Sequence, residues 1–327
     1  MINNIQVHVS PKSELITITD GEPLLNPAIS RRALLKGGLI ALGGIALSSC
    51  NRAVAKEEIV EITQQNVTIP HLPASFEGMT VTLASDFHSS PYMSPKDLKN
   101  IVGRINDLKS DVILLPGDFV TSHIEELPPI IEAFSDLKAK HGIFASTGNH
   151  DHDVDSDAIS TGLESIGITM LRNENHSLTV GSDKLHLLGV DDEDSGSIIN
   201  FINGKHAPHI EETFRGVPNN AATILLCHRP YRFDEYAKTR IGLMLSGHTH
   251  GGQIVLARIG KTTITLSSLA SKFIDGFYDA EESGSHSRMY VSRGLGVVDI
   301  PFRLNCPPEI TQFTLHSPLV AQHTSMG

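Results

Sequence analysis

Met79-Thr80-Val81-Thr82-Leu83-Ala84-Ser85-Asp86-Phe87-His88 is the stretch that decides the fold. A short apolar and β-branched run reads as a strand. It stops on an acid and an imidazole. The pattern then recurs. Val112 to Leu115 runs into Pro116-Gly117-Asp118, and Ile143 to Ser146 runs into Gly148-Asn149-His150-Asp151. Thr223 to Cys227 ends in His228, and Ile241 to Leu245 ends in Gly247-His248-Thr249-His250-Gly251-Gly252. Asp86 to Asp118 is 32 residues and Asp118 to Asn149 is 31. Each distance is about the length of one βαβ unit, roughly 30 residues.

The intervening segments read as helices. Ser94-Pro95 supplies an N-cap and a first-turn proline for an amphipathic helix to about Leu108. A second helix is expected from about Pro129 to Lys140, closed by Gly142, and a third from Ser156 to Ile166 before a short strand at Ile168 to Leu171. Such alternation predicts a largely parallel, buried sheet with helices over it. Ser177–Val180 and Leu185–Val190 read as a hairpin around Gly181-Ser182-Asp183. Short helices are expected at Ile210 to Phe214 and Tyr231 to Lys238. Runs at Ile254–Leu256, Thr262–Leu266, Met289–Ser292 and Ile310–Leu315 predict a second sheet packed on the first. The expected organisation is a signal and processing region over 1–55, a charged linker over 56–64, one domain over 65–318 and a tail over 319–327.

Composition fits a globular chain: of 327 residues, 40% are hydrophobic and 19% charged, which excludes a disordered chain and a polytopic membrane protein. Lys plus Arg is 26 against 37 Asp plus Glu, a net charge of −11, with no Trp and 5% aromatics. Neither a basic footprint nor a stacking platform for nucleic acid is present. Three cysteines make no disulfide framework, while 17 histidines direct attention to metal or acid–base chemistry.

The N-terminal region reads as an address. Ser30-Arg31-Arg32-Ala33-Leu34-Leu35-Lys36 precedes a weakly apolar stretch from Gly37 to Leu47, too short to span a bilayer. Paired arginines before such a stretch resemble a twin-arginine export signal. Leu47-Ser48-Ser49-Cys50 resembles a lipobox, and Ala53-Val54-Ala55 is a competing cleavage site. The expected location is the periplasm or the outer face of the cytoplasmic membrane. Contact with the membrane is expected through a lipid anchor if Cys50 is processed.

Parallel strands place their C-terminal ends at one edge of the sheet, where open α/β folds bind ligands. Two Asp, one Asn and four His converge there, with a fifth His to spare. Neutral imidazoles with carboxylates suit Mn, Zn or Fe rather than Ca or Mg. The ligands outnumber what one ion uses, so two divalent transition-metal ions are expected, able to clamp a phosphoryl group.

In this order, D-x-H, G-D, G-N-H-D, a lone His and G-H-T-H resemble the calcineurin-like metallophosphoesterase superfamily over Met79 to Gln253. Ser292-Arg293-Gly294-Leu295-Gly296 and Pro307-Pro308-Glu309-Ile310 resemble its bacterial exported phosphodiesterase branch. The resemblance implies an α/β fold of two packed mixed β-sheets flanked by helices, a four-layer sandwich. It implies that Asp86, His88 and His250 hold one ion and Asn149, His228 and His248 the other, with Asp118 between them. His150 would protonate the leaving oxygen, and Asp151 would orient the His150 imidazole. Water held between the ions, not a side chain, would be the nucleophile.

One departure bears on substrate. Protein phosphatases of the superfamily carry an Arg shortly after G-D, where this chain has Phe119-Val120-Thr121-Ser122. A monoester dianion rewards a guanidinium more than a diester does. The expected substrate is therefore a phosphodiester or pyrophosphate, lipid-, nucleotide- or wall-derived. Arg229 and Arg293 remain as sources of positive charge. A phosphomonoesterase and a catalytically silent metal-binding scaffold are the alternatives. His123, His152 and Asp153 lie near the site in sequence. His176, His186, His206, His209, His286 and His316 read as structural, Asp191 to Asp194 as a solvated acidic loop, Cys227 as a core thiol, and Gln253 carries no assigned role.

Overall fold

The computed structural model describes residues 60–191, 210–260, 262–265, 268, 271–280 and 286–318. The expected signal and Cys50, the acidic residues 192–194, His206, His209 and the tail from 319 lie outside the described residues.

Two six-stranded sheets form the frame. The first has the order β1 (Glu61–Thr68), β14 (Glu309–His316), β2 (Thr80–Leu83), β3 (Val112–Leu115), β4 (Ile143–Ala145) and β5 (Thr169–Met170). The second runs β12 (Gly276–Asp279), β13 (Arg288–Val291), β9 (Leu243–Ser246), β8 (Ala222–Leu226), β7 (Asp183–Gly189) and β6 (Glu174–Val180). Strands β2 to β5 are parallel, as are β13, β9, β8 and β7, while β14, β12 and β6 join antiparallel. A small hairpin, β10 (Val255–Ile259) with β11 (Thr262–Thr265), stands apart.

The period-two rule sorts the side chains into layers. Val112 and Leu114 of β3 face the second sheet, joining Leu185, Leu187, Ile224, Leu226, Leu243 and Leu245. Ile113 and Leu115 face outward onto helices, against Leu98, Ile101, Ile105, Ile130, Phe134 and Leu163. On the far side, Leu225 and Met244 meet Phe214, Phe233 and Tyr236. The result is helix, sheet, sheet, helix, as expected.

Helix α1 (Pro95–Asp107) starts where its capping signals sit. Asp97 N donates to Ser94 Oγ (3.3 Å), and Ser94 N donates to the Asp97 carboxylate (3.0 Å). The helix expected over 129–140 is instead α2 (Leu127–Phe134), after a 3₁₀ turn at Ile124–Glu126. Pro128 and Pro129 fall in its first turn, where a missing N–H costs nothing. Beyond Phe134 the chain leaves the helix, and Lys138 N donates to the Asn106 side chain (2.8 Å).

The expected 56–64 linker is corrected in part. Glu61 to Thr68 is a strand, paired in parallel with β14 from Glu61↔Glu309 to Thr68↔His316. Its polar composition hides it because an edge strand is held by backbone hydrogen bonds and only Val67 is buried.

Candidate metal centre

Six of the seven expected ligands are brought together at the C-terminal ends of β2, β3, β8 and β9, and the seventh, Asn149, follows β4 with its Oδ1 buried. Ligand atoms of Asp86, His88 and His250 lie within 4.8 Å of one another, as do those of Asp118, His228 and His248. His88 and Asp118 form a third such group with His150, which joins the first two. Asp118 Oδ2 lies 3.0 Å from His228 Nε2 and 3.4 Å from His88 Nε2. His88 Nε2 and His250 Nε2 are 3.1 Å apart, and His250 Nε2 is 3.6 Å from Asp86 Oδ1.

Three observations show that cations fit here. Asp86 Oδ2 and Asn149 Oδ1 are buried without a hydrogen-bond donor. Such an oxygen costs about 1–3 kcal/mol unless a cation meets it. Second, His228 Nδ1 lies 2.8 Å from the Pro116 carbonyl. A carbonyl only accepts, so Nδ1 carries the proton and Nε2 turns a lone pair toward Asp118. A proton or a metal cation must lie between two such acceptors. Third, burial holds His248 and His250 well below the usual imidazole range, helped by His228 and Arg229 for His248 and by His88 and Arg303 for His250. Neutral imidazoles are what a metal requires. Burial pushes the Asp118 carboxyl up, but His228 and His88 outweigh it and hold the group well below the carboxylate range.

The backbone is strained to make this happen. Asp86, His88, Asp118, His248 and His250 all adopt positive φ, between 47° and 72°. Each such residue costs about 1–3 kcal/mol, and such strain concentrates at functional sites. Glycines give the carboxylates room. A Cβ on Gly247 would fall on Asp86 Oδ2, and one on Gly148 would fall on Asp118 Oδ1.

His150 sits half-buried at the start of α3 (Asn149–Val154). Its Nδ1 lies 2.7 Å from the Thr121 carbonyl, which fixes the proton on that nitrogen. Nε2 is thereby left to face the centre, with the ring perpendicular to His88 at 4.7 Å between centroids.

Asp151 does not orient His150. Its Oδ2 accepts from Asp118 N (2.8 Å) and Gly148 N (2.9 Å), and its Oδ1 from Phe119 N (2.9 Å) and Val120 N (3.4 Å). The carboxylate therefore clamps the β3 and β4 loops together. Burial and the Asp118 charge push its carboxyl up to about 7, against the N–H groups of Gly148 and Phe119. The true orienting group, the Thr121 main-chain carbonyl, has no side-chain signal in the sequence.

Arg293 is also corrected. Its Nε pairs with Glu309 and its Nη2 with Glu61, both at 2.8 Å, so its guanidinium holds strands together. Arg229 is half-buried, and its charge bears on His248. Arg303, unremarked in the sequence, lies 3.3 Å from His250 Nδ1 and donates to the Arg293 (2.8 Å) and Gly296 (2.5 Å) carbonyls. Gln253 ties Val298 and Ile300 to the site by 3.0 Å and 2.8 Å bonds from Nε2. His152 is held by Asp191 (2.7 Å), which also meets Thr147 and Arg172. Asp191 is thus buried rather than part of a solvated run. His123 and Asp153 are exposed, and the Cys227 and Cys306 thiols are buried.

Buried carboxylates and neutral imidazoles at the joined edges of two sheets define a metal-dependent hydrolase. The chain belongs to the calcineurin-like phosphoesterase family, which matches residues 79–252. It is 31% identical over 300 residues to an uncharacterized metallophosphoesterase of Bacillus subtilis, covering 88% of this chain and 98% of that one. A Helicobacter pylori metallophosphoesterase, also uncharacterized, is 29% identical over 88% of this chain and 72% of its own. A Danio rerio transmembrane protein with a metallophosphoesterase domain is 29% identical over 85% of this chain, which spans 61% of that protein.

Proposed function

We propose that the chain hydrolyses a phosphodiester or pyrophosphate at the cell envelope, using two divalent ions of Mn, Zn or Fe. The observation that carries this is a pair of ligand groups, Asp86/His88/His250 and Asp118/His228/His248, brought against each other where Asp118 Oδ2 lies 3.4 Å from His88 Nε2. Asp86, His88 and His250 would hold one ion and Asn149, His228 and His248 the other. When bound, the ions supply Lewis acidity and a water acidic enough to attack at neutral pH.

The chain's own residues do the rest. Asp118 N–H and carboxylate are fixed by the Asp151 clamp and the His150 amide (2.9 Å). His150, tautomer-locked by Thr121, presents Nε2 to the leaving oxygen and gives it a proton. Phe119 and Val120, both fully buried, occupy the stretch where an Arg would grip a dianion. Arg293 is engaged by Glu309 and Glu61. That favours a singly charged diester over a monoester. Export by the twin-arginine route and lipid anchoring at Cys50 complete the proposal, on the evidence of residues 30–50 alone.

The test is turnover of an aryl phosphodiester against an aryl phosphomonoester with Mn or Zn, beside metal analysis of the purified chain. Faster diester turnover with two ions per chain is expected. Preference for the monoester would move the assignment to a phosphomonoesterase. No turnover above a His150→Ala control would leave a metal-binding scaffold.

A further inference from the structure

Among the described residues, eight large apolar side chains are exposed, and five of them gather in one place. Leu256 (54%) and Ile259 (67%) lie on β10, Ile264 on β11, and Phe302 and Leu304 on the segment alongside. Val255 N donates to Leu304 O (2.9 Å), which fastens that segment to the hairpin. The pairings Ala257↔Ile264 and Ile259↔Thr262 put Ala257, Ile259 and Ile264 on one face, with Thr262 beside them. The other face is anchored: Val255 is buried, and Arg258 and Thr263 both bond Asp275, at 2.7 Å and 2.8 Å. A surface hairpin ordinarily turns its polar face to water. This one leaves Ile259 and Ile264 open to water, and clustered exposed apolar residues mark interaction surfaces.

We propose that the β10–β11 hairpin and residues 302–304 form a docking surface that inserts into the headgroup and acyl boundary of a phospholipid bilayer. The place where the chain enters the domain argues for this occupant. Glu61 N donates to Pro308 O (2.7 Å), and the Glu61 carboxylate pairs with Arg293 (2.8 Å). The chain ahead of Val60 therefore joins the domain only four residues along from Leu304. That chain carries the apolar stretch 37–47 and Cys50. Eleven residues from Cys50 to Glu61 reach at most about 36 Å, so a tether there would bring this corner to the membrane first. Charge is not the attraction. The net charge is −11, and Arg258 is committed to Asp275. Insertion is apolar and insensitive to salt.

The surface borders the metal centre. Arg303, between Phe302 and Leu304, donates to the His250 carbonyl (3.3 Å). Docking would turn the rim of the centre toward lipid headgroups. This last consequence, a lipid phosphoester as substrate, rests on the phosphoesterase reading; the docking surface does not.

The chain has no Trp, so one introduced indole reports its own surroundings. The test uses the full chain with Cys50→Ser, carrying Ile259→Trp, mixed with phosphatidylcholine vesicles whose acyl chains are brominated. Blue-shifted, quenched emission is expected. Ser182→Trp, in the exposed β6–β7 turn, should show neither effect. Ile259→Asp with Leu256→Asp should bind vesicles at least about tenfold more weakly, since two apolar side chains lose their burial. Its thermal unfolding and metal content should stay unchanged. Three results would overturn the proposal: unquenched Ile259→Trp emission, a blue shift already present without vesicles, or release by about 0.5 M salt. The second would mean that the chain itself or a second copy covers the face. None of these readings depends on hydrolysis, so failure here leaves the metal centre untouched.

Discussion

Replacing Asp151 by Asn separates two roles for this residue. An orienting partner of His150 would, when lost, lower turnover and leave the fold alone. The clamp seen here predicts the opposite order of effects. Four backbone N–H groups point at the Asp151 carboxylate, two on each oxygen, and the side chain is fully buried. An amide keeps one oxygen and turns an NH2 group toward the other two donors. Two buried N–H groups are then orphaned, at about 1–3 kcal/mol each, or about 2–6 kcal/mol together. With a urea m-value of about 3 kcal/mol per M, the midpoint should fall by about 0.7–2 M. The assay is urea unfolding of metal-loaded wild type and Asp151→Asn at pH 8, above the value of about 7 to which burial and Asp118 push this carboxyl. Unchanged stability with a large loss of kcat would refute the clamp and restore the orienting role.

Chelation should lower the thermal midpoint. Two sites filled at about 100 times Kd contribute about 2.7 kcal/mol each, or about 5–10 °C per site for a domain of this size; calorimetry with and without chelator checks it. His150→Ala should cost about 10²–10⁴-fold in kcat with metal content unchanged, and substrates with acidic leaving groups should lose least. Gly247→Ala should displace Asp86, since its Cβ falls on Oδ2, and elemental analysis should find one ion lost per chain. Asp191 supplies a pH signature. Burial pushes its carboxyl up, but His152, Thr147 and Arg172 outweigh this and hold it near 2. A depressed folded value gives stability above the unfolded pKa that is lost as pH falls through the folded one. Acid unfolding between about pH 4 and pH 2 should therefore flatten in Asp191→Asn.

The site was legible where a side chain carries the chemistry. Each expected ligand follows an apolar run, and parallel strands collect such positions at one edge, so residues 86, 88, 118, 228, 248 and 250 share one cluster. Backbone work was illegible. Thr121 acts through its carbonyl and Asp151 through amides, and neither role leaves a residue-type signature. Arg293 and Arg303 look alike in sequence. Only packing shows one spanning Glu61 and Glu309 and the other set against His250. The first strand was hidden for a related reason. Glu61-Ile62-Thr63-Gln64-Gln65-Asn66-Val67-Thr68 has little apolar patterning, and its partner strand lies about 250 residues away in sequence, outside any local window.

That distant pairing governs the order of assembly. The last strand, β14, lies between the first two, so the first sheet stays incomplete until its final residues are available. Contacts this far apart make folding slow and delay completion of the first sheet until β14 has been made. Loss of the final strand would uncover β2 and strand β1 without a partner. A nascent or shortened chain should therefore be held unfinished, and vulnerable to proteases, even with every metal-binding side chain already made.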